Sequence, residues 1–426
     1  MRRFLMIMTL VVAGELVFSL PFHTARFFRP TLLEVFGLTN TELGDLFAIY
    51  GVLAMLAYFP GGALADRFSA RGLLSVSLLA TALGGIYMAT IPGPAGLGVL
   101  YAYWGLTTIF LFWGALIRAT RDWGGASKQG TAFGVLEAGR GVVAASVAAA
   151  MVAVFAAAVP EDVATMTAGE RRAGMQRVIL LYSAATLAAS ALTWWLVPVP
   201  EYRRRMAPRP LHGMLVVLKQ PVVWAQAAIV ICAYCGFKGL DNYSLYAVQV
   251  LGMDEVAAAR FATWGAYLRP VAALLAGILA DRFAATRVIA ACFLLMLVTS
   301  VLLSVLAPGS QANALIMGNL FISFFAVFAL RAVYFALLEE NRTPLKYTGA
   351  AVGLVSLVGF TPEIFFAPVA GRILDATPGL GGHQDYFLLL AVIAAAGIVA
   401  VTWLAWLHRR AAGSAWDETG PSKRNP

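Results

Sequence analysis

Eight ionisable side chains interrupt long apolar runs in this 426-residue sequence: Glu15, Glu137, Arg140, Lys238, Asp241, Arg269, Arg331 and Glu363. A charge in hydrocarbon is costly unless it meets a partner or lines a wet cavity, so each position is informative. Guanidinium offers a planar donor fork that fits carboxylate or phosphate. Arg140 and Arg269 are therefore the first candidates for holding an anion, with Lys238 and Arg331 behind them. A carboxyl in a desolvated cavity can exchange protons in the physiological range. Glu15 heads that group, followed by Asp241 and Glu363. The four cations and four anions also balance, which leaves a blander reading open. Glu137 with Arg140, and Lys238 with Asp241, are three apart on one helical face and can close as local ion pairs. Glu15 can likewise be the fixed partner of an arginine.

The elements that must position these groups are twelve apolar stretches, each long enough to cross a hydrocarbon core of about 30 Å as a helix. They span roughly 4–25, 44–64, 72–92, 97–117, 131–157, 178–199, 221–246, 257–279, 288–307, 313–338, 348–371 and 386–407. Connections such as Ile91-Pro92-Gly93-Pro94 and Ala307-Pro308-Gly309-Ser310 break helices, because Pro lacks a donor and Gly disfavours the helix. At 1.5 Å per residue, about 11 residues into helix 1 and about 12 into helix 8, Glu15 and Arg269 reach the midplane, with Arg140 at similar depth. Helices 3, 6, 9 and 12 carry no charge in their interiors.

Composition agrees. Apolar residues make up 60% of the chain, and with its 40 glycines the share is about 69% against roughly 45–50% in soluble domains, while charged residues are 12% against roughly 25%. The mean hydropathy is +0.78. This excludes a soluble enzyme, a disordered chain and a coiled coil, and three cysteines exclude a disulfide scaffold. The surplus makes membrane lipid the natural solvent of the surface. The net charge of +9 sits in short clusters between apolar runs, the pattern of positive cytoplasmic loops rather than of nucleic-acid binding. With the N-terminus inside, twenty Lys and Arg fall on the cytoplasmic side and five to seven on the other, so both termini are expected in the cytoplasm. Glu15 interrupts the first apolar run and no small-x-small site follows, so that segment is expected to stay as a helix.

Residues 201–220 form the longest inside connection, basic and Pro-containing, close to the middle of the chain. They read as a linker between a six-helix half over 1–200 and a second over 221–410, with 411–426 as a cytoplasmic tail. Leu211 to Leu218 can form an amphipathic surface helix. An internal repeat supports the division. Gly62-Ala63-Leu64-Ala65-Asp66-Arg67-Phe68 returns as Gly277-Ile278-Leu279-Ala280-Asp281-Arg282-Phe283, and Gly130 to Gly134 is echoed by Gly349 to Gly353.

At this point the chain resembles the major facilitator superfamily. That family's loop between helices 2 and 3, Gly-x-x-x-Asp-Arg/Lys-x-Gly-Arg/Lys-Arg/Lys, matches Gly62, Asp66, Arg67 and Arg71, with Ser69 and Ala70 departing from it. The second copy keeps Gly277, Asp281 and Arg282. The resemblance implies an all-α membrane protein of twelve helices in two pseudo-symmetric halves, a secondary transporter working by alternating access. It implies that helices 1, 4, 7 and 10 line the cavity while 3, 6, 9 and 12 face lipid, as the charges are distributed. The repeated Gly, Asp and Arg residues suit a latch that closes one access state and breaks in the other. Trp113 to Arg118 and Phe360 to Phe366 are similar to bacterial permeases near the sugar-phosphate and organic-anion carriers.

Weaker signals complete the reading. Asn242, Tyr243 and Tyr246, with Gly236 and Gly239, mark a breakable outer end of helix 7 that can gate or touch solute. Tyr101, Tyr103, Trp104 and Trp113 in helix 4 can contact solute or simply pack. His23, at the outer end of helix 1, reads as a surface residue. Cys232-x-x-Cys235 is apolar-flanked, without a second ligand pair, and reads as two small buried residues. No phosphate-binding Gly-rich loop and no nucleophile motif occurs, so neither an enzyme nor a cofactor is expected. The expected partners are a small anionic solute and protons, acting on a monomer in a bacterial inner membrane. A drug/proton antiporter is the runner-up, disfavoured because helix 5 lacks the Gly-Pro signature of such carriers. A sensor without flux is the remaining alternative.

Overall fold

The computed structural model describes residues 2–125, 129–199, 215–309, 312–341 and 343–410, and among these the regular structure is helical. Eleven helices are long and apolar enough to cross a membrane, and one bent pair supplies a twelfth span. In the first half, α1 runs over Arg3–Leu16 and, beyond a 41° bend, Ser19–Phe27. It is followed by α2 (Asn40–Arg67), α3 (Ala70–Met88), α4 (Pro94–Gly124), α5 (Gln129–Ala156) and α6 (Ala168–Leu196). The second half holds α7 (Pro221–Gln249), α8 (Glu255–Phe283), α9 (Ala285–Val305), α10 (Ala312–Val333), α11 (Leu345–Gly359 continued by Pro362–Ala376) and α12 (Leu380–Arg410). Residues 201–214 of the expected linker, the first part of the expected Leu211 to Leu218 helix and the tail 411–426 lie outside the described residues; residues 215–218 are helical.

Several helices outrun their apolar windows because their ends are capped. At the start of α2, Thr39 accepts from the Glu42 amide while Glu42 accepts from the Thr39 amide, and Thr167 with Glu170 repeats the box at α6. Asp254 caps α8 through the amide of Ala257. Such caps satisfy donors that helix ends otherwise leave open.

The breaks follow from composition too. Pro21 has no N–H to give, and α1 passes through a wider π-turn at Ser19–His23. Eight residues of α4, Leu106–Trp113, take the same wide form. In α7 a 3₁₀ turn at Leu240–Asn242 follows Gly239. In α11 the first helix ends at Gly359, Phe360 leaves helical geometry (φ −97°, ψ 8°), and the span resumes at Pro362, whose missing N–H costs nothing in a first turn.

Each half has a core. One apolar cluster is built around buried residues from Val217 to Leu404, and the first half is filled by two more, one of which takes in Val256, Ala259, Ala262 and Ala266 of α8. The halves meet along α2 against α11 and α5 against α8. Outer faces are apolar where lipid is expected: Leu83 and Ile86 of α3, Leu187 and Trp195 of α6, Leu294 and Val305 of α9, and Val392 and Val399 of α12 are all exposed.

Candidate functional site

The breaks bring the intramembrane charges around one central cavity of about 110 Å³ between the halves. Six of the eight expected charges line its wall, Glu15, Arg140, Lys238, Arg269, Arg331 and Glu363, and the other two, Glu137 and Asp241, pair directly with wall residues. Two residues not expected there, His23 and Arg26, also line it.

Four of the charges form one network. Glu15 of α1 accepts from Arg140 Nε of α5 at 3.0 Å and from Arg269 Nη1 of α8 at 3.2 Å. Glu137, one turn before Arg140, accepts from Arg140 Nη1 at 2.7 Å and from Arg269 Nη2 at 3.4 Å. Two acids of the first half thus clamp a guanidinium of the second. The local pair expected from the three-residue spacing exists, and so does the pairing of Glu15 with arginines. Arg140 and Arg269 consequently hold carboxylates of the protein rather than standing open.

A second network sits further from the termini. Lys238 Nζ lies 3.4 Å from Asp241 Oδ2 and 3.0 Å from Glu363 Oε2, and Tyr234 donates to Glu363 Oε1 at 2.6 Å. Arg26 of α1 reaches across to Asp241 Oδ1 at 2.5 Å. Charge is also exchanged for aromatic surface: Lys238 lies 4.2 Å from the ring centre of Phe22 and Arg26 lies 4.3 Å from that of Phe237. The two networks have opposite polarity. In the first half the acid is on α1 and the base on α5, whereas the equivalent helices α7 and α11 carry Lys238 and Glu363.

His23 corrects the sequence reading. It is buried, with Nε2 3.3 Å from Glu15 Oε1, because the π-turn and the bend carry the end of α1 back into the protein instead of out to the surface. Arg26 and Arg29, counted with the outer loop, are also enclosed: Arg29 is buried and donates to Asn40 Oδ1 at 3.1 Å.

Arg331 of α10 is held differently from the other cations. Its guanidinium lies 3.9 Å from the ring centre of Phe237, and among the described residues its buried Nε and Nη1 find no hydrogen-bond partner. Buried donors are paired in the great majority of native sites, so these two unpartnered nitrogens, on a residue that lines the cavity, are donors that a ligand there can take up.

Other expected contacts lie elsewhere. Tyr103 points outward and donates to Ala80 O, and Trp104 is buried against α3 with Nε1 donating to Thr81 O. In α4 the cavity face belongs to Ile109 and Trp113. Asn242 donates to the Tyr386 hydroxyl, and Tyr243 bonds Ser323 between Phe324 and Phe387. The face of α7 toward the cavity is Tyr234, Phe237 and Lys238, at helical spacing, and the next residues rotate toward α10 and α12. Cys232 and Cys235 are free and buried.

The two ends of the molecule differ. Away from the termini, the halves are tied together: Asp375 accepts from the amides of Asn40 and Thr41, Arg372 pairs with Asp45 at 2.8 Å, and Glu255 binds both Thr31 and Arg171. The backbones of α2 and α11 touch there. A Cβ on Gly51 would come within 2.6 Å of the Glu363 carbonyl oxygen. Toward the termini the helices part. A Cβ on Gly62, Gly134, Gly277 or Gly353 would meet nothing within 4 Å among the described residues, and the Glu137 side chain is 48% exposed. The repeated loops are open in this state. Asp281 is exposed without a partner among the described residues, and Arg282 lies over its neighbour Phe283. Arg67 is exposed, Arg71 lies over Trp194, and the Asp66 side chain is outside the described residues. Arg118 of α4 donates to the carbonyls of Ala65 and Phe68, completing the end of α2.

This architecture has relatives of similar length. The chain is 28% identical over 97% of both sequences to the inner membrane protein YqcE of Escherichia coli (strain K12), and 26% identical over 92% of both to the inner membrane protein YihN of the same organism. Its fold superposes with a TM-score of 0.70, at 13% identity and over 95% of this chain and 96% of the other, on a bacterial homologue of the human lysosomal transporter Spinster in an inward-facing, occupied conformation. The model of the Major Facilitator Superfamily matches residues 11–367. With twelve spans in two halves around a charged central cavity, the chain belongs to the Major Facilitator Superfamily, as an integral membrane transporter and not an enzyme.

Proposed function

We propose that the protein carries a small organic anion across a bacterial inner membrane by alternating access, in exchange with or together with protons. The observation that supports the anion is Arg331: a guanidinium at the cavity with Nε and Nη1 unpartnered, beside arginines already satisfied by Glu15 and Glu137. The same surplus of positive charge disfavours the lipophilic cations of drug antiporters. Both termini are assigned to the cytoplasm from the loop charges, and the unit of transport is assigned as the monomer because the cavity is built within one chain.

Proton coupling rests on the ion pairs that join the halves. Opening the far end must separate Arg269 from Glu15 and Glu137, and Arg26 from Asp241. Leaving such charges buried and unpaired costs several kcal/mol, and protonating the acids lowers that cost. Glu15 is assigned the coupling role, with the His23 imidazole 3.3 Å from it. Asp241 and Glu363 serve the second network. The repeated loops, with Gly62, Asp66, Arg67, Arg71, Gly277, Asp281 and Arg282, are assigned to the latch that forms when the termini end closes.

The test is a binding panel of anionic, neutral and cationic solutes on the purified full chain, with wild type and Arg331→Ala. Anions alone are expected to stabilise the protein, and the variant is expected to lose that effect. Stabilisation confined to cationic solutes would overturn the assignment.

A further inference from the structure

We infer that the anion is a small monoanion with a flat apolar body, such as an aromatic carboxylate or sulfonate, and not a hydroxyl-rich sugar acid or sugar phosphate; this rests on the anion reading above. Three features of the cavity support it independently of Arg331.

The first is what the wall lacks. Among the described residues that line the cavity there is no Ser, Thr, Asn or Gln. The neutral polar groups are few and mostly engaged: the Tyr50 hydroxyl shares a hydrogen bond with Thr108 at 2.6 Å and the Tyr234 hydroxyl serves Glu363. A sugar brings several hydroxyls, and each one left unpaired in such a wall costs about 1–3 kcal/mol. Apolar ring atoms incur no such penalty.

The second is what the wall offers instead. Phe18, Tyr58, Trp113, Tyr234, Phe237 and Phe360 surround the space, with Tyr234 and Phe360 ring centres 4.9 Å apart. Arg331 lies over Phe237, so a carboxylate received by its guanidinium has the attached ring among these side chains. The volume of about 110 Å³ is well below the roughly 300–1,000 Å³ of sites for drug-sized ligands, which limits the body to about one ring.

The third is charge. Five cations meet at the cavity, Arg26, Arg140, Lys238, Arg269 and Arg331, and four carboxylates bond to them, Glu15, Glu137, Asp241 and Glu363. Leaving the His23 imidazole aside, one positive charge remains. A monoanion neutralises the site, whereas a phosphate monoester would add a second, uncompensated negative charge.

The experiment measures ligand-induced thermal stabilisation of the purified full chain at millimolar benzoate, benzenesulfonate, acetate, glucuronate, glucose 6-phosphate and uridine. Benzoate and benzenesulfonate are expected to raise the melting temperature more than acetate does, and glucuronate and glucose 6-phosphate to leave it unchanged. Phe360→Ala is expected to weaken benzoate by roughly 2- to 12-fold while leaving acetate as it was. Stabilisation by glucuronate or glucose 6-phosphate in preference to benzoate, abolished in Arg331→Ala, would overturn the apolar class and keep the anion site. Stabilisation by uridine alone, or by no anion at all, would overturn the anion reading beneath it.

Discussion

Arg269, from the second half, donates to Glu15 of the first at 3.2 Å, and the same Glu15 holds Arg140 of its own half at 3.0 Å. One carboxylate therefore joins the halves at the central cavity. Any movement that parts α1 and α5 from α8 must break this contact, and in a dry interior an abandoned charge is expensive. That gives Glu15 a place in the transport cycle beyond packing.

Glu15→Gln keeps the size of the side chain and removes its charge and its titration. Reconstituted in vesicles, this variant is expected to exchange solute across the membrane at near wild-type rate while losing accumulation driven by an imposed pH gradient. Persistent gradient-driven accumulation would move the coupling role to Asp241 or Glu363.

His23 lies 3.3 Å from Glu15, and its Nδ1 is buried without a partner among the described residues. His23→Gln keeps a hydrogen-bonding group beside Glu15 and removes the imidazole. Proton-driven accumulation is expected to fall while solute binding stays as it was. Unaltered accumulation would make His23 a spacer.

The far end is closed by Arg26 on Asp241, backed by the Arg372 to Asp45 pair. Arg26→Ala removes the buried member, which is worth more than the exposed one. Spin labels at Glu161 of the first half and Arg260 of the second, both exposed, are expected to show a larger population at longer distance in the variant. An unchanged distance distribution would mean that the other far-end contacts suffice.

Glycines at two depths of α2 are expected to behave differently. Gly51→Ala drives a Cβ against the backbone of α11 and is expected to cost about 1–3 kcal/mol of stability, read as a lowered melting temperature. Gly62→Ala enters open space in this state and is expected to leave the melting temperature unchanged while slowing transport, because α2 must approach a neighbour when the termini end closes.

Much of this architecture was legible in the sequence. Long apolar runs can satisfy their backbones in lipid only as helices, so the spans follow from hydropathy. Intramembrane charges are costly enough that Glu15, Arg140, Lys238 and Arg269 could be picked out one by one. His23 and Arg26 were not legible because they sit at the outer end of the first apolar stretch, where charges ordinarily meet water; the π-turn and the 41° bend return them to the cavity. Tyr103, Trp104 and Trp113 look alike as aromatic positions of one helix, and the wide turn at Leu106–Trp113 decides which of them faces inward. The partner of each charge is a tertiary fact as well. The three-residue spacing offers the Glu137 to Arg140 pair, but nothing in it says that Glu15 joins them, that both acids share Arg269, or that Arg331 is left without a carboxylate.

The central claim is that Arg331 receives the anionic end of the solute. It is tested most directly by measuring the dissociation constant of benzoate for the purified full chain and for Arg331→Ala, side by side at one pH and ionic strength. Loss of a charge-assisted hydrogen bond worth about 1.5–3 kcal/mol predicts binding weaker by roughly 10- to 150-fold in the variant. Equal dissociation constants for a variant that melts at the wild-type temperature would contradict the account.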